Sequence, residues 1–225
     1  MTEAFDNITI SHLFDLEHTR AARLFEGARY PWEILDRIGD FICELGKTLP
    51  SDRFEQRGEN VWIAKSAEIA PTAYINGPCI IDEETEVRHC AFIRGKALIG
   101  KNCVIGNSVE IKNAVIFDCS QVPHFNYVGD AVIGYHGHMG AGSVTSNVKS
   151  DKSHVTVRMG EDVIDTGRKK FGAALGDFAE IGCNAILNPG TIVGRGSTVY
   201  PTTCARGVIP ENSILKNNGT LIAKD

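Results

Sequence analysis

Three histidines, His124, His136 and His138, fall in one short stretch of the chain. A neutral imidazole, with an ordinary pKa of about 6.5, can take a proton near pH 7, and it is also a common zinc ligand. Gly140, Ala141 and Gly142 follow; without bulk there, a ligand can approach the backbone N–H groups that stabilise an oxyanion. Arg94 and Lys112, eighteen residues apart, are types that hold a phosphate or carboxylate through charge-assisted hydrogen bonds. Gly134, Gly137, Gly140 and Gly142 look like a phosphate loop, but no helical pattern follows them, so they read as turns. The seven cysteines are odd in number and contain no C-x-x-C spacing, which reads as reduced thiols.

The elements that must position these groups follow a period of six. From Ile63 in steps of six come Ile69, Ile75, Ile81, Val87, Ile93, Ile99, Ile105 and Ile111, all β-branched aliphatics. Four places after each sits a small or modest side chain, such as Ala67, Cys79, Ala97 or Cys103. The pattern returns as Leu175, Ile181, Leu187, Val193 and Val199. Neither a helix nor a coiled coil has this period; a β-helix of very short strands does, each coil stacking on the last to bury a continuous core. Two stretches, 117–132 and 146–170, break the rule, and such breaks are where function is expected. Before the repeat, Ile34, Leu35, Ile38, Phe41, Ile42 and Leu45 have helical spacing, opened by Pro31 and closed by Gly46, with a weaker helical stretch through Leu13–Phe25. This region predicts a helical cap over an open end of the solenoid.

Hexapeptide solenoids of this kind resemble the left-handed β-helix acyltransferases, and that resemblance supplies the hand and a coil of eighteen residues. Arg94 and Lys112 would then stack on neighbouring coils about 4.8 Å apart. Like charges so placed repel unless an anion lies between them; they form an anion clamp, or else splay into solvent. The stretches GNSVEIKNA, PHFNYVGDAVIG and MGAGSVTSN resemble, in order and spacing, the acetyltransferase domain of bifunctional UDP-N-acetylglucosamine pyrophosphorylase/glucosamine-1-phosphate acetyltransferase. The resemblance implies that His124 is the general base, oriented by Glu110, and that the Ala141 N–H stabilises the oxyanion. It further implies that Arg94, Lys112, Tyr127, Asn147 and the His138 position bind the substrate, and that Ala141 and Cys183 lie against acetyl-CoA, with no metal needed. His138, Val148 and Cys183 replace an Asn, a Tyr and a Ser of the family pattern, which bears on acceptor recognition. YPWEIL resembles the segment leading into this domain in sugar-1-phosphate nucleotidylyltransferases, while no Gly-rich nucleotide-binding start appears near Met1.

The chain of 225 residues has 43% hydrophobic and 23% charged residues and a net charge of −5, an ordinary globular composition without a nucleic-acid footprint. No run is apolar enough to span a membrane, and Met1, Thr2, Glu3 and Asp6 do not begin an export signal, so a cytoplasmic protein is expected. The expected fold is an all-β solenoid, a left-handed parallel β-helix of hexapeptide repeats with a small N-terminal α-helical cap. Its expected parts are a helical segment at 1–56, the acyltransferase solenoid at 57–215 with an inserted loop at 146–170, and a tail at 216–225. The insertion carries Lys149, Lys152, Arg158, Arg168, Lys169 and Lys170, suited to phosphates of the coenzyme or the acceptor. The expected function is acetyl-CoA-dependent N-acetylation of an amino-sugar phosphate by a homotrimer without a pyrophosphorylase domain. Two other readings stay open: a non-catalytic trimeric assembly module, and a zinc carbonic-anhydrase-like enzyme using His124, His136 and His138.

Overall fold

The computed structural model describes residues 3–224. They form a left-handed β-solenoid of about nine turns with few helices. Strands of two to seven residues pair in parallel with the coils before and after, so their inward residues stack in columns. The first column runs Ile63, Ile81, Ile99, Ile116, Ile133, Leu175, Val193 and Ile209. A second runs Ile69, Val87, Ile105 and Val122, then Met139, Ile181, Val199 and Leu215. The third runs Ile75, Ile93, Ile111 and Val128, then Thr145, Leu187 and Ala205. Every member of the first column is at most 2% exposed, and burying one such side chain contributes about 1.5–3 kcal/mol. Cys79 and Cys103 are small core residues, and burial pushes the Cys79 thiol up to about 12.

The rule of six holds at two of the three corners in every coil. From the third column back to the first, however, the step varies. It is six at Ile75–Ile81, five at Ile111–Ile116 and Val128–Ile133, thirty at Thr145–Leu175, and four at Ala205–Ile209. The stretch 117–132 is therefore regular solenoid displaced by one place, and by two from Ala131 on, because one turn residue is missing between Lys112 and Ala114 and another between Gly129 and Ala131. The break at 146–170 is a true insertion at the same corner, and it folds into the antiparallel hairpin of Thr156–Met159 with Asp162–Asp165.

The outward faces of the first-column strands carry Ile80, Leu98, Val115, Val132, Ala174 and Ile192, all buried. The N-terminal segment runs along this flank instead of over an end. It contains helix α1 (Ile10–Leu13), short 3₁₀ turns and helix α2 (Ile38–Gly46). The expected helix from Pro31 is thus in two pieces, a 3₁₀ turn at Pro31–Ile34 and α2. Helix α2 crosses the strands Cys79–Ile81, Ala97–Ile99 and Glu110–Ile116. Phe14 packs on Phe117 at 5.2 Å between centroids, and Trp32 on Phe171 at 5.6 Å. Gly46 is demanded by close approach, since a Cβ there would lie 2.3 Å from the Trp62 indole. The solenoid ends are closed by antiparallel strands, Phe54–Gly58 on Val61–Ala64 and Leu221–Ala223 on Ser213–Leu215, which removes the unpaired edges that promote aggregation. The tail after Lys216 is accordingly part of an end strand.

A row of acids ties the N-terminal segment down. Arg20 pairs with the buried Asp82, the Asp118 N–H donates to the His18 carbonyl at 3.0 Å, and Asp177 accepts from the Asp15 N–H at 2.8 Å. Burial raises the pKa of Asp118 and Asp177, against the pull of the N–H groups that donate to them.

Ile99→Asp should place an unpaired carboxylate in a fully buried column, costing more than about 4 kcal/mol; unchanged thermal melting followed by circular dichroism would contradict the assigned register. A carboxyl whose native pKa is raised stabilises the fold below its unfolded value and loses that contribution as pH rises through the native value. Asp118→Asn, whose carboxamide oxygen can still accept the Lys101 N–H, now 2.7 Å from Asp118, should therefore gain stability relative to wild type between about pH 3 and pH 7. Urea unfolding across that range checks the sign.

Candidate active site

The variable corner gathers four of the five residues expected to bind substrate, Arg94, Lys112, Tyr127 and Asn147, but not His138. Arg94 and Lys112 follow the paired residues Ile93 and Ile111, so they do stack on adjacent coils. Each has an acid beside it: Arg94 Nη1 donates to Glu110 Oε1 at 2.6 Å, and Lys112 Nζ lies 3.4 Å from Asp130 Oδ2. Their mutual repulsion is met by protein carboxylates, so the stack alone does not require a bound anion. Glu110 is engaged with Arg94 here, not with His124, the residue it was expected to orient.

Asp130 organises this corner although sequence reasoning passed over it. Only 4% exposed, it accepts hydrogen bonds from Asn113 Nδ2 at 2.8 Å and from Asn147 Nδ2, besides its ion pair with Lys112. Asn147 Nδ2 also lies 3.2 Å from the Tyr127 hydroxyl. Gly129 leaves room for that phenol, because a Cβ would come within 2.3 Å of its oxygen. Burial raises the Tyr127 pKa, helped by the negative charges of Asp130 and Glu110. The signal that could have found Asp130 was its spacing, one coil from both Lys112 and Asn147.

His124, His138, Ala141 and Cys183 meet elsewhere, at the corner between the second and third columns, in a groove of about 440 Å³ that Arg88 and Pro123 also line. Asn126, likewise unforeseen, builds this site. Its buried amide donates to the Gly140 carbonyl at 2.7 Å and to Ser143, while its carbonyl oxygen accepts the His124 N–H at 3.0 Å. The Gly142 N–H donates to the His124 carbonyl at 2.9 Å. These bonds hold the exposed His124 against the Gly140–Ala141–Gly142 turn. Among the described residues no hydrogen bond of the fold uses the Ala141 N–H, whereas those of Gly140, Gly142 and Ser143 are all engaged. An exposed imidazole beside a free, fixed N–H is an arrangement for proton transfer next to a developing oxyanion.

The remaining histidines have other neighbours. His136 occupies a left-handed turn position and stacks on Phe178, and His138 Nδ1 lies 2.8 Å from Glu180 Oε2. Among the described residues no group of three His, Cys, Asp or Glu side chains is placed to hold a metal ion. Five of the insertion's six cations, all but Lys152, divide into two sets. Lys149 and Arg158 line one cleft with Val148, Asn188 and Arg206; Arg168, Lys169 and Lys170 line another with Lys96 and Lys112.

The fold and these two polar groups define a hexapeptide-repeat β-solenoid of the kind found in acyltransferase families. The profile described as the GMPPB C-terminal domain matches residues 75–164. A bifunctional sugar-1-phosphate nucleotidylyltransferase/acetyltransferase of Sulfurisphaera tokodaii is 31% identical over 215 residues, covering 87% of this chain and 53% of that protein. The bifunctional protein GlmU of Methanococcus aeolicus is 31% identical over 212 residues, covering 86% and 47%. The chain is a homologue of these proteins and spans about half their length. A solved hexapeptide transferase family protein from Anaplasma phagocytophilum is 14% identical, covers 71% of this chain and 79% of its own, and superposes with a TM-score of 0.35. No helix among the described residues is long and apolar enough to cross a membrane.

Asp130→Ala should leave Asn113, Asn147 and Lys112 without their shared acceptor, costing about 2–3 kcal/mol. Denaturant unfolding measures this, and a loss below about 0.5 kcal/mol would show that the corner does not depend on Asp130.

Proposed function

We propose that the chain is an acetyl-CoA-dependent N-acetyltransferase whose acceptor is an amino-sugar phosphate. The single observation that carries this reading is the groove in which His124 stands beside the unused Ala141 N–H. Acetyl-CoA lies in that groove with its thioester near Ala141 and Cys183. The acceptor amine attacks the thioester carbonyl; a C–N bond forms, the C–S bond breaks, and the coenzyme leaves as its thiol. His124 removes the amine proton and returns a proton to the departing sulfur. The Ala141 N–H stabilises the oxyanion between these two steps.

Arg94, Lys112, Tyr127 and Asn147 face the acceptor from the neighbouring corner. On one chain they form a group separate from the His124 groove, which is consistent with a homotrimer in which adjacent subunits bring the two groups together. Tyr74 and Phe92, in register with Glu110 and 64% and 37% exposed, supply apolar surface for that contact. His138 is paired with Glu180, so at this position the acceptor meets an imidazole and a carboxylate, which favours a sugar differing from glucosamine-1-phosphate in its hydroxyl pattern. We place the reaction in the cytoplasm.

Thiol release from acetyl-CoA, followed across amino-sugar 1-phosphates, nucleotide amino sugars and simple amines, tests the reading; activity with none would favour a non-catalytic assembly role. His124→Ala should lower kcat by about 10²-fold or more, because general-base catalysis contributes 10²–10⁴-fold. Its melting temperature should hardly change, since the His124 side chain is exposed. A variant that keeps its turnover removes His124 from the mechanism.

A further inference from the structure

The proposed acyl transfer leaves one proton without a carrier. A primary aliphatic amine is an ammonium ion near neutral pH, so two protons must leave its nitrogen before the product is a neutral amide. One passes through His124 to the departing sulfur. The other has to be taken before attack, because an ammonium has no lone pair with which to form the C–N bond.

The groove holds a second imidazole, and the fold has built a proton acceptor from it. Glu110 is engaged by Arg94, and among the described residues His124 is tied only through its backbone N–H and carbonyl. His138 lines the same groove and has Nδ1 2.8 Å from Glu180 Oε2. These two residues lie on either side of the insertion, yet stand directly opposite each other in adjacent coils. Ladder hydrogen bonds fix both backbones, the His138 N–H donating to the Ala179 carbonyl at 2.9 Å and the Glu180 N–H to the Ser197 carbonyl at 2.8 Å. A carboxylate accepts and does not donate, so the contact puts the imidazole proton on Nδ1 and leaves Nε2 with its lone pair. Among the described residues no hydrogen bond of the fold uses that Nε2.

His138 and Gln121 line both the His124 groove and a second groove of about 380 Å³. The other titratable groups of the two grooves have different neighbours. Arg88 is paired with Glu86 at 2.9 Å, His136 stacks on Phe178, and burial raises the Cys119 thiol. Among the described residues Cys183 and the His124 ring have no charged group bonded to them. Of the imidazoles here, His138 is the one with a carboxylate behind it.

We propose that His138, positioned by Glu180, carries the first proton: its Nε2 takes a proton from the ammonium of the acceptor and passes it to water, and the free amine then attacks the thioester. This role rests on the acyl-transfer reading. In sum, the ammonium and the thioester give the amide, the free thiol of the coenzyme and one proton released to solvent. The negative charge of Glu180 also draws a cationic acceptor toward the ring.

Two measurements on the full chain test the assignment. In two-bond proton–nitrogen spectra of protein labelled with ¹⁵N in histidine, neutral His138 should carry its proton on Nδ1, and Glu180→Ala should move it to Nε2. His138→Gln identifies the signal, and a wild-type proton on Nε2 overturns the assignment. With an amino-sugar 1-phosphate that the wild type acetylates, His138→Gln and Glu180→Ala should lower kcat/KM for the acceptor about tenfold or more near pH 7, with KM for acetyl-CoA unchanged. The loss should shrink to within about threefold near pH 9.5, where an amine of pKa about 8 arrives already free, while His124→Ala stays impaired at both pH values. A loss of equal size at both pH values marks a structural or binding role and overturns the assignment, as does unchanged turnover near pH 7. Both side chains are partly exposed, and circular dichroism confirms that the variants fold. If no amine is acetylated, the proposed function fails and this role with it; acetylation together with any of the overturning results rejects the role of His138 alone.

Discussion

Everything in this molecule depends on keeping three columns of aliphatic side chains in register from coil to coil. A strand slipped by one residue turns its inward face outward, so the spacing between columns tolerates no change wherever a strand runs directly into the next. At two corners the step stays at six throughout. The third corner alone shortens and lengthens, because there the turn can lose a residue or grow an arm without moving the strands on either side. Arg94, Lys112, Asp130 and Asn147 all lie at that corner. The architecture thus confines variation to one edge of a rigid prism.

Buried acids serve different ends at different corners. Asp82 and Asp177 anchor the N-terminal segment through a guanidinium and a backbone N–H. Asp130 instead gathers side chains, two amides and an ammonium, and so fixes the side chains that face the proposed acceptor. In both places the cost of burying charge is offset by hydrogen-bond donors aimed at the carboxylate.

The N-terminal segment is more than a cover. By lying along the flank it brings Asp36 and Gly39 to the edge of the variable corner, where Asp36 holds Arg168 and Gly39 supports the stem of Lys96. An arm from the middle of the chain and a helix from its start therefore meet over the solenoid, and the cleft lined by Lys96, Lys169 and Lys170 lies where they do. Since Trp32 packs on Phe171 beside Lys169 and Lys170, the stability of the flank and the shape of that cleft are coupled.

The sequence by itself determined the solenoid, because a period of six in β-branched residues has one packing solution and is read locally. Its motifs, through their resemblance to an acetyltransferase domain, also singled out His124, Ala141, Arg94, Lys112, Tyr127 and Asn147, which the proposed function takes as its site residues. It could not show that 117–132 is regular, since the loss of one turn residue shifts the phase without changing the pattern, and only strand pairing reveals the shift. Nor could it show the flank packing of the helices, for an apolar helical face does not say which apolar surface it meets. The pairing of Arg94 with Glu110, the role of Asp130 and the pairing of His138 with Glu180 were decided by tertiary structure alone. These contacts join residues one coil apart or many tens of residues apart, and a distance in space between such residues is set by how the coils stack and where the insertion returns.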